Sequence, residues 1–299
     1  MLPGMALYRL VDPEPDRPLR SPALVAAFDG WVDAAGASTA AASHIAQGAR
    51  QLAAFDPDAL YDYRARRPVL DIVDGVPTKL AWSELSMRWS AEEHRDLLIL
   101  SGPEPDFRWR ELAGDVLELC RRFGVTRWVS LGSIPAALPH TRPVPVMATA
   151  SRPGLLQHGE QQGPPGLLRV PSAMLSTLEI AVSAGGLPAV GYFAQVPHYV
   201  SGPYAAGSIA LLDHLSRHLE VEIPLGQLPD EAMAQRERLD DAIGQDSDSK
   251  SYIERLEALA DEERLPTGDD LAAEVERFLR DAGRGESGPG SGPTGPLPS

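Results

Sequence analysis

Cysteine is nearly missing from this 299-residue chain: Cys120 stands alone, so no internal disulfide can form. It falls on an apolar helical face and reads as core rather than as a nucleophile. Lysine is almost as scarce, at positions 79 and 250, and arginine carries the remaining positive charge. With 28 Pro and 27 Gly, that bias is the mark of a GC-rich coding sequence. Basic residues are outnumbered 42 to 27, giving a formal net charge of −15 and a pI near 4.9. Nucleic acid and anionic membrane surfaces both require a basic face, so neither is expected as a partner. No apolar run approaches the ~20 residues needed to span a bilayer. Residues 1–20 are broken by prolines and charges, so no signal peptide is visible. A soluble, cytoplasmic protein is expected. Catalytic signatures are lacking too: there is no G-x-S-x-G, H-E-x-x-H or Walker motif, and no G-x-G-x-x-G after a strand.

What is present is an apolar fraction of 43%, enough for a sizeable core. The organising stretch is Leu-Val-Ala-Ala-Phe-Asp-Gly-Trp-Val-Asp-Ala-Ala-Gly-Ala-Ser, residues 24–38. Its unbroken apolar run, 24–28, reads as a central strand buried on both faces. A polar turn and an Ala-rich helix, about 33–52, follow. Further strands are expected at 5–10, 97–100, 125–131, 146–150, 167–170 and 189–196. Helices are expected at 109–123, from Ser172 to Gly185 with Glu179 on the outer face, and at 204–219. Residues 69–82 read as a β-hairpin turning at Asp74-Gly75, with Pro77 marking an edge strand. Alternating strands and helices predict an α/β fold, a three-layer α/β/α sandwich on a mostly parallel sheet with the hairpin inserted. The expected division is a core at 1–228, an acidic helical appendage at 229–282 and a disordered Gly/Pro/Ser tail at 283–299. Between Asp230 and Asp281 there are 17 acidic and 7 basic residues, so this stretch carries −10 of the −15. Its helices are expected at about 230–243, 249–263 and 269–281. An apolar stripe of Tyr252, Ile253, Leu256 and Leu259 could dock on the chain's own core or pair between subunits.

Ligands in α/β folds bind where strands end in polar turns. The candidate strand-end pocket is therefore Asp29, Gly30, Trp31 and Asp33, with Ser101, Gly102, Gly132, Ser133, His198 and Tyr199. Ser133, His198 and Asp29 could form a hydrolytic triad, or Gly132-Ser133 could be a tight turn. Asp33 could line a pocket or cap a helix. His214 and His218 are four apart, a chelating spacing, but two histidines leave a metal site half-built, and a solvated helix face is expected. No metal or cofactor is expected.

Six segments together resemble the proteasome assembly chaperone family, its second-subunit type and long actinobacterial branch. They are Ala27-Phe28-Asp29-Gly30-Trp31-Val32-Asp33-Ala34; Tyr61-Asp62-Tyr63 with Arg67-Pro68; Val73-Asp74-Gly75; Leu100-Ser101-Gly102-Pro103-Glu104-Pro105; Leu131-Gly132-Ser133-Ile134-Pro135; and Val196-Pro197-His198-Tyr199. The resemblance spans about residues 24–225 and implies a sandwich of phosphorylase/hydrolase-like type with no established enzymatic activity. Eukaryotic and archaeal relatives bind proteasome α-subunits, and the expected partners are further copies of this chain and proteasome α-subunits. Some relatives dock through a hydrophobic-Tyr-any-residue tail; this sequence closes on Gly-Pro-Leu-Pro-Ser, without that tyrosine. The leading expectation is a non-enzymatic, assembly-chaperone-like interaction protein. The alternative is an enzyme or small-molecule binder, nucleoside-phosphorylase-like or hydrolase-like, using the strand-end cleft.

Overall fold

The computed structural model describes residues 6–11, 17–163 and 166–263. The helix expected at 269–281 and the tail at 283–299 lie outside them. The strands are β1 (Tyr8–Leu10), β2 (Ala23–Asp29), β3 (Arg50–Phe55), β4 (Val69–Val73), β5 (Val76–Ala81), β6 (Ser86–Ala91), β7 (Asp96–Pro103), β8 (Arg127–Ala136), β9 (Val146–Ala150), β10 (Gln161–Gln162) and β11 (Ala189–Pro197). The helices are α1 (Ala37–Ile45), α2 (Pro57–Leu60), α3 (Trp109–Arg122), α4 (Met174–Ala184), α5 (Ala205–Leu219), α6 (Leu228–Gly244) and α7 (Ser247–Glu263).

Nine strands form one sheet in the order β1-β3-β6-β7-β2-β8-β11-β9-β10, with β2 at its centre. The run from β7 to β11 is parallel, while β1, β3, β6 and β9 each pair antiparallel. The sheet is thus mixed rather than mostly parallel. A short hairpin joins β6 to β7, whereas β9 and β11 pair antiparallel across the long segment that contains α4.

Alternation along β2 divides the core. Leu24, Ala26 and Phe28 pack with Leu112, Val116 and Leu119 of α3 and Leu175, Leu178 and Val182 of α4. Ala23, Val25 and Ala27 pack with Ala41, Ala42 and Ile45 of α1 and Leu211, Leu212 and Leu215 of α5. Helices therefore cover both sheet faces, in the three layers expected. Cys120 is buried on α3, and desolvation pushes its thiol up to about 12.

Three local expectations fail. The Ala-rich helix stops at Ile45, and Arg50–Phe55 is strand β3. Gly48, at φ +71°, turns the chain back, and tertiary burial of Leu52 and Phe55 overrides the helical propensity of the alanines. Residues 167–170 are irregular and exposed, because β9 already pairs with β11 and β10. Glu179 does not face outward: it lies against Thr149 of β9, which donates to it at 3.4 Å.

Helix α6 packs on α5, and α7 on α6. Ile253 and Leu256 of the apolar stripe are buried on the chain's own surface, whereas Leu259 is exposed. Among the described residues, no helix is long and apolar enough to cross a membrane.

Candidate functional site

The polar turn after β2 is built around one carboxylate. Helix α1 opens after Gly36, which has no side chain to cap it. Asp33 reaches forward instead. Its Oδ1 accepts from the Ser38 N–H at 2.9 Å, the Ser38 hydroxyl at 2.6 Å and the Thr39 N–H at 3.2 Å; its Oδ2 accepts from the Thr39 hydroxyl at 2.5 Å. These N–H groups have no partner within the helix, and a negative charge suits the positive end of its dipole. Ser133, fully buried at the end of β8, donates to the Ala34 carbonyl at 2.9 Å. Its N–H donates to the Val32 carbonyl at 2.7 Å, so the turn is stitched to β8 from both atoms.

A second carboxylate, Glu104, ties the same turn to α4. One of its oxygens accepts from the Trp31 N–H at 3.0 Å and the other from the Met174 N–H at 2.6 Å. The latter is the first residue of α4, whose cap position, Ala173, offers no side-chain acceptor. Gly30 is required here, since a Cβ would lie 2.5 Å from the Glu104 Cβ. Gly132 likewise leaves room for the Phe193 ring. The Trp31 side chain is 66% exposed beside this latch. Asp29 pairs with Arg66 at 3.0 Å, and the Tyr61 hydroxyl donates to the Pro103 carbonyl at 2.9 Å. Asp29, Ser101 and Gly102 border a groove of about 530 Å³ that also includes Thr39, Glu84 and Arg88.

His198 and Tyr199 lie elsewhere, beyond β11 and against the C-terminal helices. His140 is buried there. Its N–H donates to the Tyr199 hydroxyl at 2.7 Å, and that hydroxyl is 2.8 Å from Nδ1. With the proton assigned to Nε2, the ring donates to Asp240 of α6 at 3.0 Å. Burial pushes the Tyr199 phenol up to about 12, keeping it a neutral donor. Arg142 adds a two-pronged pair with Asp261 of α7, both contacts at 2.8 Å. The loop before β9 thereby clamps α6 and α7. His140→Ala is expected to lower stability by about 1.5 kcal/mol in urea unfolding, the worth of its two partly buried side-chain bonds. A loss under about 0.3 kcal/mol would show that α6 is held without it.

The ten expected site residues are therefore distributed over a groove, a stitched turn and a helix clamp. Ser133 and Asp29 bond to other groups, and His198 Nδ1 meets the Ala136 carbonyl at 3.2 Å. Ser133 pairs in register with Ala194, four residues short of His198, roughly 13 Å along the strand. Nothing in this geometry activates a nucleophile. His214 and His218 both pack on the Tyr192 ring, with centroids 5.4 and 5.8 Å away, rather than forming a solvated face. Among the described residues, no group of three His, Cys, Asp or Glu could hold a metal. Glu104, Arg66 and His140 were not singled out by pattern. Glu104 sits in the segment Leu100-Ser101-Gly102-Pro103-Glu104-Pro105, but its partners are 73 and 70 residues away.

A different kind of surface is conspicuous. Every residue of the β4–β5 hairpin is exposed, including Val69, Ile72, Val73 and Val76. At its base Trp82 meets Tyr63 edge-on, with centroids 4.7 Å apart.

Comparison places this architecture among known proteins. A protein of unknown function from Corynebacterium glutamicum is 31% identical with a TM-score of 0.80, the match covering 87% of this chain and 99% of that one. A Mycobacterium tuberculosis protein of unknown function is 30% identical with a TM-score of 0.80, over 87% and 92% of the two chains. A Mycobacterium tuberculosis proteasome-assembly chaperone homologue is 34% identical with a TM-score of 0.71, over 77% and 99%. No curated protein sequence matches. The PAC2 family profile matches residues 27–243. Spanning most of the chain and agreeing with the solved relatives, that match shows that the chain belongs to the PAC2 family.

Proposed function

We propose that this protein is a non-enzymatic, assembly-chaperone-like interaction protein, working in the cytoplasm as a homo-oligomer with proteasome α-subunits as clients. The observation that carries the reading is the β4–β5 hairpin. A two-stranded ribbon is marginal in water by itself, and this one exposes valines, Leu70 and Ile72 along its length. Apolar surface of that kind marks a protein contact. The similarity to a proteasome-assembly chaperone homologue points to the class of client. The polar groups at the strand ends support the same reading, because Asp33, Glu104 and Ser133 act as braces within the fold.

The test is capture of purified proteasome α-subunits from the same host by the full chain, with cross-linking to map the contact. Stoichiometric capture is expected, weakened at least tenfold by Ile72→Asp combined with Val76→Asp. Because both side chains are exposed, the double variant should melt as the parent does. No capture at about 10 μM of each protein would overturn the α-subunit assignment. Unchanged capture by the variant would remove the hairpin from it.

A further inference from the structure

On the sheet face covered by α3 and α4, strand β9, next to the edge strand β10, lies beside α4 rather than under it. The space between them is a cavity of about 530 Å³. Ser176, Glu179, Ile180 and Ser183 enter it from α4, at the spacing of one helical face, and Phe193 of β11 forms its apolar wall. Among the described residues, Glu179 is the sole ionisable group in the lining; Arg152 follows the lining residue Ser151 in the chain and is exposed. The carboxylate is folded inward over Gly191, where a Cβ would lie 3.2 Å from Oε1. Among the described residues, the one hydrogen bond it accepts, from Thr149, is 3.4 Å long. Ile180 next to it is 72% exposed, so the cavity opens to solvent.

A carboxylate turned into an apolar recess, with one long hydrogen bond and no basic side chain in the lining, is half of an ion pair. We propose that this cavity binds a cationic nitrogen on a slender stem, an alkylammonium or guanidinium group, with Glu179 as counter-ion and Phe193 as the aromatic wall. The walls suit the methylenes, the carboxylate suits the head, and a ring beside a cation adds attraction. The hydroxyls of Thr149, Ser176 and Ser183 accept the remaining N–H groups. The same chemistry has two sources: a free amine, or a Lys or Arg side chain of a partner protein.

Calorimetry on the full chain with n-butylammonium, agmatine and the capped amino acids acetyl-lysine and acetyl-arginine methylamide tests it. At about pH 8 at least one probe is expected to bind, and Glu179→Gln to weaken it at least tenfold. Glu179 titrates near 7 in the free protein, so affinity should also fall about tenfold from pH 8 to pH 6 as the carboxylate is protonated. Ser183→Phe, which fills the space and leaves the carboxylate, should abolish binding. Tighter binding of the free amines identifies a small molecule; tighter binding of the capped residues identifies a partner's side chain. No binding of any probe at about 10 mM, or equal binding by Glu179→Gln, overturns the proposal.

Discussion

Asp33→Ala is expected to lower the unfolding free energy by about 3 kcal/mol. The carboxylate serves the Ser38 and Thr39 N–H groups and both hydroxyls, and Ser38 is fully buried. Removing it orphans donors that water reaches poorly, so the loss exceeds that of an ordinary exposed cap. Asp33→Asn keeps one acceptor oxygen and should cost about half as much. Urea unfolding followed by circular dichroism measures both. A loss below about 1 kcal/mol in the alanine variant would mean that α1 is held by its packing on β2 rather than by this brace.

Glu179→Gln is expected to act in the opposite direction, increasingly as pH rises from 4.5 to about 7. Burial raises the Glu179 carboxyl to about 7, against a hydrogen bond from Thr149 that lowers it. Its folded value therefore exceeds the unfolded one, and the folded state holds the proton more tightly. The contribution to stability is fully present below the unfolded value and is lost as pH rises through 7. At about pH 8 the native protein carries an ill-solvated charge that glutamine removes, so the variant should be about 2 kcal/mol more stable. At about pH 4 the two proteins should unfold alike. A pH-independent difference would assign the effect to packing instead.

How much of this was legible follows from the range of each interaction. The apolar run of β2, the Asp-Gly turn of the hairpin and the amphipathic spacing of α3 are local patterns, and each appears where the sequence puts it. Strand β3 was hidden because Ala-Arg-Gln-Leu-Ala-Ala-Phe has helical propensity, and its strand state comes from pairing with β1 and β6. The site residues were legible as strand ends but not as roles. Asp33 finds its partners five and six residues away, so a capping role could be weighed from sequence. Glu104 finds its partners 73 and 70 residues away and His140 finds its own 59 and 100 away, and no spacing rule reaches so far. Glu179 was read as outward-facing because a helix period does not say how far the sheet extends beyond the helix that covers it.

The position of β2 also governs how the chain is born. Its residue Ala23 pairs with Leu97 on one side and Arg127 on the other. At synthesis rates of roughly 5–20 residues per second, the most apolar strand waits roughly 5–20 s for its second neighbour. During that interval an edge of the sheet is open beside the nascent chain, exposed to any strand that can pair with it. A protein whose proposed work is to shelter unfinished assemblies is itself unfinished at its centre until nearly half its length has been made.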